Sequence, residues 1–455
     1  MKITFFKKEY EIVSPWEKQF ERFLSPFRDF IHNQATTGLV LLFMTILALI
    51  LANSSYAESY AHLFHTYFTI SLGELTLSHS LHHWINDGLM AIFFFIVGLE
   101  IKREVLVGEL SDPKNVVLPI VAAIGGMFFP AVIYYSFTMG TEGTSGWGIP
   151  MATDIAFAIS ALLLLGKRIP TALVTFLVAL AIVDDLGAVT VIAIFYTEQL
   201  EFTYLAIALG IFAIMIGFNR FGIHSPLPYF ILGGLMWLAM LHSGVHATIA
   251  GVLAALAIPA KPKFNPEYFH EHMQSLVAKY ESFNPKHKDY QLYEEQAAVV
   301  REIEKGAKRV QTPLDRLEHD MHLPVSLLII PIFALANAGI AINFSEISNV
   351  VVEPVSLGII FGLILGKVIG IAGVSWVAIK MGIAKLPTGA TMNQIFGVSF
   401  FGGIGFTMSI FIANLSWDSS SELLLQAKTA ILIASLISAI IGFVWLRFIA
   451  TKDKT

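Results

Sequence analysis

TALVTFLVALAIVDDLGAVTVIAIFY, residues 171–196, is the stretch whose reading decides the fold. It is almost wholly apolar except for one pair of neighbouring acids, Asp184 and Asp185. A helix needs roughly 20 mostly apolar residues to cross a bilayer, and this run supplies them. Ionisable groups in the middle of a span are costly and by default mark function. Neighbours on a helix point about 100° apart, so the two carboxylates serve different faces. One can face an ion path while the other meets a partner helix. Two carboxylates this close in a low dielectric cannot both ionise freely. A site that takes up protons, and binds a cation once they leave, is what an ion exchanger requires.

The apolar pattern recurs along the chain. Hydrophobic residues make up 55 % of the sequence and charged residues 14 %. Mean hydropathy is +0.69. Both lie outside the range of ordinary soluble domains. Twelve stretches are candidate spans: 36–53, 81–101, 116–138, 148–165, 171–196, 202–218, 227–241, 244–258, 323–340, 354–379, 390–413 and 422–448. The expected fold is an all-α polytopic membrane bundle of about 12 transmembrane helices. With the first residues inside, the inner loops collect Lys102, Arg103, Lys114, Lys167, Arg168, Arg220, Lys261, Lys263, Lys380, Lys385 and Arg447. The outer connections, 54–80, 139–147, 197–201, 242–243, 341–353 and 414–421, hold no Lys or Arg. That split follows the positive-inside rule and places both termini in the cytoplasm. A net charge of −5 without a dense basic run speaks against a nucleic-acid partner. Cysteine is absent, which removes disulfides, thiolate metal sites and cysteine nucleophiles.

Residues 1–35 carry Lys, Glu, Arg and Asp with no apolar core or cleavage site, unlike a signal peptide. Trp16, Phe20, Phe23, Phe27 and Phe30 recur there at helical spacing. That suits a short helix lying in the membrane surface or docked on the bundle. The spans fall in two blocks, 36–258 and 323–449, separated by a cytoplasmic insertion, 259–322, and followed by a tail, 450–455. Within the insertion, 267–282 and 290–310 read as two amphipathic helices. On the outer side, residues from Tyr67 to Ser78 alternate apolar with polar around Leu72-Gly73-Glu74, which reads as a β-hairpin. Its exposed edge can pair with a second copy, so it is a candidate homodimer contact.

Two further charges sit well inside spans, Asp154 and Lys367, and Lys428 lies near the outer end of its own. Lys428 can snorkel or pair structurally. A buried ammonium at Lys367 needs a carboxylate, and either Asp184 or Asp185 can serve; alternatively Lys367 itself carries a proton. Asp154 ends Gly148-Ile149-Pro150-Met151-Ala152-Thr153-Asp154, where Gly and Pro favour a helix interrupted within the membrane. Phe401-Gly402-Gly403-Ile404-Gly405-Phe406-Thr407 is the matching break. Each break falls in the middle member of a three-helix unit, within 116–196 and within 354–448. That is the signature of inverted repeats containing interrupted, crossing helices.

These residues also carry a likeness. NDGLMAIFFFIVGLEIKRE at 86–104, GIPMATDIAFA at 148–158, ALAIVDDLGA at 179–188 and SGVHATIAGV at 243–252 come in order. RLEH at 316–319, PIFALANAGI at 331–340, LGKVIGI at 365–371 and FGGIGFTMSIFIA at 401–413 follow. The chain thereby resembles the NhaA-type Na+/H+ antiporters, a family counted among the inverted-repeat transporters. The resemblance implies that Asp184 and Asp185 bind Na+ or Li+ and exchange protons, and that Lys367 pairs with Asp184. It implies that Thr153 and Asp154 belong to the crossing of the interrupted helices, where Asp154 offsets the positive helix ends. Asp87 is placed near the outer end of its span. Glu100, Arg103 and Glu104, with Glu318, His319 and His322, match groups linked to pH response, and His246 matches a histidine that influences the pH profile. The insertion and the extended N-terminus depart from the family pattern.

The function expected from all this is electrogenic, pH-regulated sodium/proton antiport by alternating access, in a bacterial inner membrane and not as an enzyme. More protons enter than sodium ions leave, so a negative interior drives export; each net charge contributes about 2.3 kcal/mol per 100 mV. No cofactor is needed beyond the transported Na+, Li+ and H+. The alternative is a sodium-coupled symporter of an organic anion on a related fold. An intramembrane aspartyl protease needs its two Asp on separate helices, which this adjacent pair does not provide. His62, His65, His79, His82 and His83 read as surface histidines rather than a metal site.

Overall fold

The computed structural model describes residues 34–73, 75–108, 111, 113–197, 200–283, 294–341, 347–418 and 421–449. The chain begins with α1 (Gln34–Ala52) and α2 (Ala57–His65), then β1 (Tyr67–Leu72) and β2 (Leu75–Ser80). α3 (Leu81–Leu106) and α4 (Pro113–Thr138) follow, then a 3-10 segment, Glu142–Met151, and α5 (Ile155–Leu163). Next come α6 (Thr171–Phe195), α7 (Phe202–Arg220), α8 (Pro226–Leu241), α9 (Ile249–Ala257), α10 (Pro266–Ser282) and α11 (Glu294–Val310). The second block holds α12 (Pro313–Asn337), α13 (Ile347–Val352), α14 (Pro354–Lys380), α15 (Met392–Gly402), α16 (Phe406–Ser416) and α17 (Glu422–Ile449). Among the described residues, seven helices are long and apolar enough to cross a membrane, or up to ten spans if each bent pair counts as one.

The periphery shows which solvent the bundle is built for. α7 buries only Ala208 and Met215, while Phe202, Ile207, Leu209 and Ile214 face outward. Phe43 on α1 and Leu436 on α17 are likewise exposed. Such broad apolar surface is stable only where the surroundings are hydrocarbon. α6 is the opposite case, burying Leu173, Leu177, Leu180, Asp184 and Asp185. With little hydrophobic force between helices in lipid, close approach must come from small residues. α4 and α14 meet this way: a Cβ on Gly370 would lie 2.1 Å from the Gly125 carbonyl oxygen. α3 and α9 meet at Gly251, where a Cβ would lie 2.1 Å from the Ala91 carbonyl oxygen.

Several boundaries differ from the sequence reading. The second block opens at Pro313 rather than near residue 323. Thr312 caps α12 by accepting the Asp315 N–H at 3.0 Å, and Pro313 occupies the first turn. Glu318, His319 and His322 therefore ride on a membrane helix rather than in the insertion. The stretch expected as a span at 244–258 is helical only over Ile249–Ala257. Nine residues rise about 14 Å, short of a bilayer. The hairpin pairs Tyr67 with Ser80 through to Leu72 with Leu75, two residues further than read. The insertion folds as α10 packed on α11, tied at its base by the Lys263 and Phe264 N–H groups donating to the Arg309 carbonyl (2.9 and 3.0 Å). The N-terminal helix expected around Trp16–Phe30, residues 290–293 and the tail 450–455 lie outside the described residues.

Candidate ion-exchange site

Asp184 and Asp185 sit in the uninterrupted middle of α6, each 1 % exposed. Lys367, 0 % exposed, reaches them from α14, where it stands between two wide π-helical turns, Gly362–Gly366 and Val368–Gly373. Such turns recur at functional sites because they re-aim a side chain without ending the helix. The Lys367 ammonium donates to Asp184 Oδ2 at 2.8 Å, to Thr153 Oγ1 at 2.9 Å and to the Met151 carbonyl. All three of its protons are thus satisfied inside the bundle.

Met151 is the last residue of the 3-10 segment, and the break that follows it is the structural centre of the site. The segment and α5 meet at 42°, and α15 and α16 meet at 44°. The two breaks are bonded to each other. Asp154 N–H donates to the Ile404 carbonyl at 2.7 Å, and Thr153 Oγ1 donates to the Gly402 carbonyl at 2.8 Å. Asp154 Oδ1 accepts the Phe157 N–H at 3.0 Å, capping α5. Its Oδ2 accepts the Thr407 N–H at 3.1 Å and the Thr407 hydroxyl, capping α16. One carboxylate therefore answers two positive helix ends, and Lys367 answers a negative one at Met151. Ser409 Oγ closes the crossing by donating to the Ile149 carbonyl at 2.7 Å.

What remains is Asp185. Neither of its oxygens has a hydrogen-bond partner among the described residues, and Asp184 Oδ1 is also free. Asp154 is matched by helix ends and Asp184 by Lys367, so Asp185 alone has nothing to answer its charge. A buried carboxylate in that position takes a proton or a cation. Hard oxygen donors of this kind suit an alkali or similar hard cation.

Asp185 and Asp154 line a cavity of about 110 Å³ together with Glu100, Ser326 and Met408. Glu100, Ile155, Ile159 and His322 line both this cavity and a larger one of about 700 Å³ that opens beside Arg103 and Glu318. Asp185 therefore faces a cavity that adjoins the wider one on the side that carries α10 and α11. A separate vestibule of about 650 Å³ lies on the hairpin side, lined by Asp87, His246, Asn414 and Leu415, and shares no lining residue with the inner cavity.

Comparison with known proteins places nearly the whole chain in one family. The profile of the family described as Na+/H+ antiporter 1 matches residues 28–446. An Na+/H+ antiporter NhaA of Sulfurimonas denitrificans is 57 % identical, over 97 % of this chain and 99 % of its own length. Antiporter relatives from Saccharophagus degradans and Dichelobacter nodosus are 48 % and 44 % identical, covering 97 % and 98 % of this chain and 95 % and 97 % of theirs. The chain belongs to the Na+/H+ antiporter 1 family. Within this family member, the other residues singled out from the sequence fall into two groups, one on each side of the bundle.

On the α10–α11 side, Arg103 bonds Glu318 across from α3 to α12 and Glu104 at 2.9 Å. Glu100 and His322 line both cavities there, and His319 lines the wider one. On the hairpin side, Asp87 is held between His83 at 3.1 Å and His246 at 3.3 Å. His82 and His83 are not loose surface groups as read from the sequence: His82 hydrogen-bonds Asn337 at 3.1 Å. Among the described residues, no His/Asp/Glu group has the arrangement of a metal site. Sequence reasoning passed over Thr407, which lay inside a quoted motif, and over Asn86, Asn337 and Asn414. Asn337 is a polar residue within an apolar run and Asn414 stands at the end of one, which was the available signal; Asn86 stands beside Asp87.

Proposed function

We propose that Asp184 and Asp185 are a single seat occupied by either protons or a sodium ion, and that this seat couples the two flows by alternating access. The chain is a sodium/proton antiporter, a secondary transporter and not an enzyme. The observation that carries the proposal is the unpaired Asp185 carboxylate on a cavity that shares four lining residues with the one beside Arg103 and Glu318 and none with the hairpin-side vestibule. With that side facing the cytoplasm, Na+ displaces protons from the pair. When access switches, protons displace Na+. Occupancy by one excludes the other, so exchange is obligatory. Asp154 and Thr153 hold the crossing, and Lys367 answers Asp184 while Asp185 is vacant or filled. A cavity of about 110 Å³ whose free groups are acidic favours a small cation over the organic anion of a symporter.

Finer features of the reading belong to the same proposal. Lithium shares the seat, more protons than sodium ions move, and no cofactor takes part. Glu100, Arg103, Glu104, Glu318, His319 and His322 link access to cytoplasmic pH, and Asp87 with His246 does so from the outer end. α8 and α9 complete twelve membrane segments. The unit from α4 to α6 and the unit from α14 to α17 are inverted repeats, and the bundle is divided into one block before the insertion and one that opens at Pro313 after it. The protein lies in the bacterial inner membrane with both termini cytoplasmic. The β1–β2 edge joins two copies into a homodimer. Deleting residues 67–78 is expected to shift dimers toward monomers in detergent; an unaltered dimer population removes that role from the hairpin.

The test of the seat is calorimetric. Sodium titrated into the purified protein in two buffers of different ionisation heat is expected to release protons as it binds. In everted vesicles, added Na+ and then Li+ should dissipate an imposed proton gradient. Sodium uptake without proton release at any pH would overturn the shared seat.

A further inference from the structure

α12 departs from regular helix where it faces the ion cavity. Between Val325 and Ile329 it opens into a wide π-helical turn, and Pro331 follows one residue later. The Ile330 N–H donates five residues back, to the Val325 carbonyl. In a regular helix that N–H would serve the Ser326 carbonyl. A continued wide turn would offer Ser326 the N–H of residue 331, but that residue is proline and has none. The Ser326 carbonyl is therefore left without a partner in the ladder of α12. A carbonyl freed inside a membrane bundle calls for a partner of another kind.

The freed group faces the cavity. His322, Ser326 and Ile330 fall at intervals of four on one face of α12, and all three line the same cavity as Asp185 and Asp154. A helical carbonyl points toward the residue four ahead, so the Ser326 carbonyl lies between Ser326 and Ile330 on this face. The Ser326 hydroxyl is uncommitted too. Thr45, Thr190 and Thr429 each donate to the carbonyl four residues back. Ser326, although buried, makes no such bond and none to any other described residue. The other buried hydroxyls of the cavity are engaged: Thr407 donates to Asp154, and Ser160 accepts the Gly38 N–H at 3.1 Å.

We infer that Ser326 is a further ion-binding residue, giving its carbonyl and hydroxyl oxygens to the alkali cation that enters the cavity toward Asp185. The inference rests on the shared-seat reading. Its physical basis is the supply of ligands. A hard cation takes about six oxygens. The acid pair leaves three free, Asp184 Oδ1 and both oxygens of Asp185. A cavity of about 110 Å³ holds only a handful of waters, so an ion inside it exchanges part of its water shell for oxygens of the wall. Ser326 offers two such oxygens, and neither is a base. The carboxylates accept a proton or a cation, whereas Ser326 serves the cation alone. It therefore tilts the competition toward sodium at the moment of loading. Because Ser326 stands on α12 and the pair on α6, the ion is held from two helices.

The test reads sodium binding by thermal unfolding of the full chain in detergent, with sodium chloride against choline chloride. Sodium raises the midpoint by binding the folded state. Ser326→Ala removes the hydroxyl, which holds nothing in the fold. Its midpoint in choline should match that of the unaltered protein, while the sodium needed for half the shift should rise about tenfold, the effect of one charge-assisted bond lost. In everted vesicles the KM for Na+ should rise by the same factor with little change in kcat. Ser326→Thr keeps the hydroxyl and should restore both. Pro331→Ala supplies an N–H that can bond the freed carbonyl, and should move the sodium requirement the same way. A structural role would instead lower the midpoint in choline and leave the sodium requirement alone. That result, or an unchanged sodium requirement in Ser326→Ala, overturns the inference. Proton release on sodium binding to the unaltered protein is measured separately, so the seat at Asp185 can stand while Ser326 fails.

Discussion

Replacing Asp185 by Asn is expected to abolish sodium-dependent proton movement while leaving the protein folded and at least as stable as before. The two halves of that expectation have one cause. In the structure the Asp185 carboxylate accepts no hydrogen bond from any described residue and is 1 % exposed. It therefore contributes nothing to holding α6 against its neighbours, and burying its charge is a cost to the fold. An amide of the same shape removes that cost. It also removes the function, since Asn neither carries the negative charge that attracts Na+ nor releases a proton when Na+ arrives. Exchange in everted vesicles should fall to the background of empty membranes with both Na+ and Li+. Thermal unfolding in detergent should show an unchanged or raised midpoint. Retained sodium-driven proton flux in the folded variant would mean that the shared seat lies elsewhere.

Replacing Lys367 by Ala is expected to have the reverse balance, with a large loss of stability. Its ammonium joins α14 to Asp184 on α6 and to Thr153 and Met151 at the break before α5. Removing it strands the Asp184 carboxylate and the Met151 carbonyl in the interior. Breaking one side of a buried pair typically costs about 3–5 kcal/mol. The lost methylene stem also leaves a cavity where α4 and α14 pack at Gly126. A double-mutant cycle separates the terms. Lys367→Met keeps much of the stem, and combining it with Asp184→Asn removes both charges together. If the pair is what holds the two helices, the double variant should be more stable than the sum of single losses predicts. A coupling of roughly 0.5–3 kcal/mol is then expected. Additive losses, or an unchanged unfolding midpoint for Lys367→Ala, would show that Lys367 does not brace the crossing.

The sequence was legible where the information is local. A bilayer imposes a length and a composition on each span, so the apolar runs and the polar hairpin declare themselves along the chain. The breaks at Thr153-Asp154 and at Gly403-Ile404-Gly405 were readable because Gly and Pro act on the backbone beside them. The start of α12 at Pro313 was also locally encoded, in Thr312-Pro313 followed by Asp315, but the polar surroundings of the insertion masked it. Asn86, Asn337 and Asn414, joined to one another by hydrogen bonds, were visible only as polar residues in or beside apolar runs. Nothing in their spacing says that α3, α12 and α16 bring them together.

By itself the sequence determined that this is a membrane bundle with two adjacent acids, an aspartate and a lysine at cost in its interior. It also determined, through eight ordered motifs, the family to which the chain belongs. Which charge answers which was left open by the residues alone and implied by the family likeness; the tertiary structure supplies the contacts. Lys367 meets Asp184 across 183 residues, and Asp154 answers two helix ends, one of them 253 residues away. The reason is that hydrophobicity acts residue by residue along the chain, whereas electrostatic compensation depends on distances that exist only once the helices cross. Asp185 is left over by that crossing.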